Sequence, residues 1–133
     1  MNRKDHFLLT LPWAYIFFRL KYTKIQAIIL AILCAYLTFL PDLDLVLGIK
    51  HRTITHSLLI VLLFFILYYL TKFFFFEVLA LAFLFHIIED SFTSMGIKLY
   101  PLNYRIRLGK TGYWINVASI ISLLLFIWLA LNY

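Results

Sequence analysis

The sequence predicts an all-α fold, a small polytopic membrane bundle of four to five helices. Three observations carry this. Of 133 residues, 65% are hydrophobic, 20% aromatic and only 14% charged, with a mean hydropathy of +0.96, whereas about 25% of a soluble domain is charged. Long apolar stretches recur at 25–39, 57–71, 73–88 and 114–131. Most of the acids and histidines (Asp42, Asp44, His51, His56, His86 and Asp90) stand at or near the ends of those stretches. Ionisable groups so placed are costly unless they face a bundle interior, water or a cation. The fold is therefore expected to gather them into one polar site at a membrane surface.

Each helix has its own justification. A first helix is expected over 6–21, where the apolar run Phe7 to Leu20 follows Arg3 and Lys4. That pattern resembles a signal peptide, but no small-residue cleavage site follows, and Arg19, Lys21 and Lys24 come directly after. A retained, short spanning or half-inserted helix is the preferred reading, with an interfacial helix as its competitor, because fifteen residues cover only about 22 Å. Pro12 kinks this helix or sits in its first turn. A second helix is expected over 24–40 and a fifth over 113–131; the segments 25–41 and 113–131 meet the roughly 20 residues, with about 17 to 25 usual, that a hydrocarbon core about 30 Å thick requires. The run 55–90 is too long for one span and divides at Thr71-Lys72 into helices over 55–71 and 73–90, with Lys72 snorkelling from a tight turn.

The single cysteine, Cys34, lies inside an apolar helix and excludes an internal disulfide framework. The net charge of +6 reads as basic flanks meeting anionic headgroups rather than as a nucleic-acid surface, since no polar basic domain exists. One membrane-embedded domain over residues 1–133 is the economical reading. With these helices, Arg3, Lys4, Lys50, Arg52, Lys98, Arg105, Arg107 and Lys110 share one side and Arg19, Lys21, Lys24 and Lys72 the other. The excess of basic residues makes the first side cytoplasmic. That side also takes all four histidines and every acid except Glu77.

Three constellations on that side carry the chemistry. Pro41-Asp42-Leu43-Asp44 closes the second helix. Proline and aspartate commonly mark a stop, but two adjacent carboxylates repel and oppose the dipole of a helix C-terminus, and a cation removes both objections. His51-Arg52-Thr53-Ile54-Thr55-His56-Ser57 opens the third helix. Thr55 is expected at the N-cap, which places His56 and Ser57 in the first turn, where the positive dipole end favours the neutral, metal-ligating imidazole. Ser57 reads as a capping or supporting residue, since no glycine-rich elbow surrounds it. In the fourth helix, His86 and Asp90 are four residues apart on one face and could grip one ion. Glu89 borders that face as a bridging ligand, a general base or a rim carboxylate. His6, just before the apolar run of the first helix, is a possible extra ligand. Gly96 is expected to supply a left-handed or closely approached backbone position, and Pro101 to stiffen the return. Arg105, Arg107 and Lys110 form a basic strip that ordinarily flanks a span, although an arginine there could steady a phosphate.

PDLD at 41–44, HRTITHS at 51–57 and HIIEDSFTSMG running on to LYP at 86–101 resemble the YdjM-like, LexA-binding inner-membrane-associated family of predicted metal-dependent hydrolases. Asp42 and Asp44 match that family's aspartate pair. His51, Arg52, Thr55, His56 and Ser57 match its central stretch, and His86, Asp90 and Thr93 its third motif, followed by Gly96 and Pro101. His6 corresponds to its N-terminal histidine, though the glycine expected later in that motif is absent. Thr53 replaces the central glycine, so the local loop is expected to differ. The resemblance covers nearly the whole chain and implies a metal site and hydrolase chemistry.

The resulting expectation is a bundle whose cytoplasmic rim holds one or two divalent cations through His51, His56, His86, Asp42, Asp44 and Asp90, with His6 as a further ligand. Mixed imidazole and carboxylate donors favour zinc, with manganese or iron next, and magnesium if carboxylates dominate. Glu89, Arg105 and Arg107 are the candidate catalytic groups. The substrate is expected to be a lipid-like ester, and the basic strip favours a phosphate-bearing headgroup. The runner-up is a non-enzymatic scaffold or binding protein stapled by a structural ion. A transporter or proton relay is disfavoured because the ionisable groups gather at one edge while Glu77 stands alone opposite. Zinc-peptidase chemistry finds no HExxH helix.

Overall fold

The computed structural model describes residues 3–43, 56–93, 96–99, 104–109 and 113–133. Its helices are α1 (Arg3–Arg19), α2 (Lys24–Leu37), α3 (Leu58–Thr71), α4 (Phe74–Ser91) and α5 (Tyr113–Asn132), with a 3-10 turn over Leu40–Asp42. They form an all-α bundle. Helix α1 packs along α2 on one side and α5 on the other, α3 lies against α4, and α4 also touches α1 and α2.

The packing follows residue size. Ala14, Ala27, Ala31, Cys34 and Ala82 let the backbones of α1, α2 and α4 approach closely, and Tyr15, Phe18 and Leu81 fill the space between them. A second cluster joins Val61, Phe83 and Ile87 to Ile97 beyond α4. Local chemistry sets the ends. Gln26 Oε1 accepts from the Thr23 backbone N–H at 3.1 Å and from its hydroxyl at 3.0 Å, starting α2. Lys72 adopts a left-handed conformation with φ 55° and ends α3, while Thr71 Oγ1 accepts from the Phe73 N–H at 3.2 Å across the turn. Arg19 and Lys24 donate to the carbonyls of Tyr133 and Leu131 at 2.8 and 3.0 Å, placing cations at the negative end of α5.

Two helices, over Lys24–Asp42 and Trp114–Asn132, are long and apolar enough to cross a membrane, and α3 is a shorter apolar helix. Helix α5 exposes Ile120, Ile121, Leu124, Trp128 and Leu131, a face that lipid rather than water would cover. The protein is membrane-associated on this evidence.

Four local expectations change. Pro12 lies in the middle of α1, which runs unbroken through it, rather than in the first turn. Ser57, not Thr55, caps α3, its Oγ accepting from the Leu59 N–H at 3.1 Å. His56 therefore precedes the helix instead of lying in its first turn. Glu77 is not alone. It is buried, accepts from Lys21 Nζ at 3.2 Å and from Tyr22 Oη at 3.0 Å, and Lys21 also donates to Tyr68 Oη. Desolvation works to lower the Lys21 pKa, but hydrogen bonds to Tyr68 and Glu77 hold the ammonium above its ordinary value.

The expected 91–112 loop contains an antiparallel hairpin, β1 (Ile97–Leu99) and β2 (Tyr104–Ile106), with Ile97 opposite Ile106. Gly96, at φ 63°, makes it possible, since a Cβ there would collide with the Ile106 carbonyl oxygen. The Leu108 N–H donates to the Ser91 carbonyl at 2.9 Å, pinning the hairpin to the end of α4.

Candidate metal centre

The start of α1, the 3-10 turn after α2, the residue before the α3 N-cap and the last two turns of α4 meet at one end of the bundle. His6, Asp42, His56, His86 and Asp90 come from those four places. The α-helical period puts His86 and Asp90 on one face. Ser57 turns the chain into α3 so that His56, immediately before it, is fully buried against His86.

His56 Nε2 and His86 Nε2 are 3.1 Å apart, and Asp42 Oδ1 is 3.5 Å from each. Donors about 2.0–2.1 Å from a tetrahedral zinc ion lie about 3.3 Å from one another. The triangle of two imidazole nitrogens and a carboxylate oxygen thus has the dimensions of a first coordination shell. Asp90 Oδ2 stands 3.7 Å from His86 Nε2 and 3.8 Å from His56 Nε2, a fourth donor on the same side.

His6, His86 and Asp90 form a second group whose donor atoms lie within 4.8 Å of one another. The two clusters share His86, and the Asp90 carboxylate divides between them, with Oδ1 3.4 Å from His6 Nε2 and Oδ2 toward His56 and His86. The rings of His6 and His86 stack with centroids 4.2 Å apart. His6 Nε2 is buried and has no partner of hydrogen-bond geometry among the described residues. A buried nitrogen left this way costs about 1–3 kcal/mol, and a cation would occupy it.

The other side of the His6 ring is held. Its Nδ1 donates to Glu89 Oε2 at 2.6 Å, and Thr10 donates to Glu89 Oε1 at 2.8 Å. A carboxylate on one imidazole nitrogen fixes the tautomer that leaves the other nitrogen as a donor to metal. Thr10 is the supporting residue that motif reading missed, although its place four residues after His6 on one helical face was a usable signal. Thr93 donates to the Asp90 carbonyl at 2.8 Å and closes the end of α4.

The remaining candidates are placed differently. Arg105 and Arg107 are exposed on and just after β2, not within the buried cluster. Asp44, His51, Arg52, Thr53, Thr55, Pro101 and Lys110 lie outside the described residues. Among the described groups, the buried cluster can hold a divalent ion through mixed nitrogen and oxygen donors.

The family model described as YdjM inner membrane protein matches residues 1–133. No curated protein matches, and no solved structure does.

Proposed function

Because the chain belongs to the YdjM inner membrane protein family, we propose that it is a membrane-bound, metal-dependent hydrolase acting on a phosphoester or lipid-like ester at the cytoplasmic face. The observation that carries this reading is the convergence of His56, His86 and Asp42 donors at 3.1–3.5 Å. Asp42, His56, His86 and Asp90 hold the ion, with His6 joining through Nε2; Asp44 and His51, nominated by the sequence, lie outside the described residues. Zinc is the favoured ion, with manganese, iron or magnesium as alternatives. The division of Asp90 between the two clusters supports a second ion.

A divalent cation held there supplies Lewis acidity, lowering the pKa of a water and offsetting negative charge on a phosphoryl or acyl oxygen. The protein's own groups do the rest. The imidazoles act as neutral donors. Glu89, braced by Thr10, is a positioning residue that keeps the His6 proton on Nδ1. Arg105 and Arg107 steady a phosphate approaching from the headgroup layer. Water adds to the phosphorus or acyl carbon, the ester bond breaks, and the alcohol leaves with a proton.

A structural ion is the second reading, favoured by the near-complete burial of His6, His56, His86 and Asp90, since closed sites are stabilising rather than catalytic. Asp42, whose side chain is 17% exposed, is the opening that the hydrolase reading requires. The test is turnover by nanodisc-held protein of lipid phosphomonoesters, phosphodiesters and carboxyl esters, with and without chelator. Chelator-sensitive turnover lost in Asp42→Ala and His86→Ala is expected. Full metal occupancy with no turnover would select the structural reading, and turnover that survives chelation would reject the mechanism.

A further inference from the structure

Beside the cluster, a cleft of about 500 Å³ opens between α1, α4 and α5, within the range of about 300–1,000 Å³ usual for ligand sites. Leu9 and Trp13 form one wall, Phe85 and Phe92 another and Trp114 a third, with Glu89 as the charged lining residue. Phe85 lies two turns before Phe92, the C-cap of α4, so the cleft runs roughly 10 Å along the end of the helix. It is open at the flank, where Trp13 and Trp114 are 56% and 72% exposed. That flank continues into the apolar, exposed face of α5, so hydrocarbon is the medium that meets it. Both Glu89 oxygens are engaged by His6 and Thr10, so the wall favours an uncharged occupant.

We propose that this cleft seats the alkyl chain of a lipid that enters sideways from the bilayer, with its polar end lying past Glu89 at the imidazole–carboxylate cluster. The proposal rests on the hydrolase reading and names the substrate class as a single-chain or multi-chain lipid ester. Glu89 separates the two compartments. Its neighbours Phe85, Ile88 and Phe92 face hydrocarbon, while its carboxylate holds His6 in the polar cluster.

The test uses dodecyl phosphate carrying a mid-chain diazirine, irradiated with the full-length, metal-loaded protein in nanodiscs and mapped by peptide mass spectrometry. Labels should concentrate in residues 9–13 and 115–118 and be displaced by dodecyl phosphate but not by butyl phosphate. Ala118→Trp, an exposed lining position, should reduce labelling about tenfold while metal content is retained. Ile115→Trp serves if that variant does not fold. Labels spread along the exposed face of α5 and indifferent to competitor and substitution would overturn the proposal, as would crosslinks to a second copy of the chain. Competable labelling without chelator-sensitive turnover of dodecyl phosphate supports the cleft while counting against the hydrolase reading.

Discussion

His86 stands in a helix that is otherwise apolar from Val78 to Ile88, where an unpaired imidazole would be costly. The structure answers that cost by placing Asp42, His56 and Asp90 around its Nε2. His56→Ala and Asp90→Ala should therefore each lower bound metal while leaving the chain membrane-inserted, as metal analysis of purified variants would show. Unchanged stoichiometry in both would remove them from the ligand set. Glu89→Gln keeps the shape of the side chain but weakens its hold on His6. Metal affinity should fall about 10–100-fold, read by competition with a chromophoric chelator. An unchanged affinity would mean that Glu89 does not act through His6.

The helices were legible element by element, because apolar runs broken at Thr71-Lys72 and at Pro41 leave few ways to divide the chain. The N-cap of α3 was not, since Thr55 and Ser57 are both good caps two residues apart, and only the extended backbone at Ser57, with φ −99° and ψ 139°, distinguishes them. Ser57→Ala should cost about 1 kcal/mol, measured as a lower midpoint in thermal unfolding, and should weaken metal binding because His56 is the adjacent residue. A stability matching the parent protein would show that the cap is dispensable. The β1–β2 hairpin was hidden for a different reason. Its strands, Ile97–Leu99 and Tyr104–Ile106, are too short to show a period of two, and Gly96 signalled a turn without revealing what it joined. Of the site, Asp42, His56, His86, Asp90 and His6 could be nominated from residue type and position at helix ends. The division of Asp90 between two clusters and the Thr10–Glu89–His6 chain depend on side-chain directions between helices far apart in sequence.

At the scale of the whole molecule, the two polar centres occupy opposite ends of the bundle. The metal-capable cluster sits where α1 begins and α4 ends, and the Lys21–Tyr22–Glu77 group where α1 ends and α4 begins. A bundle crossing the membrane would then present them at opposite faces. In a Cys34-free background, cysteines at Ile49 and Ile106 should react from the cytoplasmic side and one at Lys72 from the other, in keeping with the basic-residue bias. Labelling of all three from one side would overturn this topology. The buried imidazoles and carboxylates are placed to hold a cation. Anomalous diffraction from crystals of the purified, metal-replete protein would locate it. A peak within bonding distance of His56 Nε2, His86 Nε2 and an Asp42 oxygen is expected. Metal-replete crystals with no peak among those three side chains would contradict this placement.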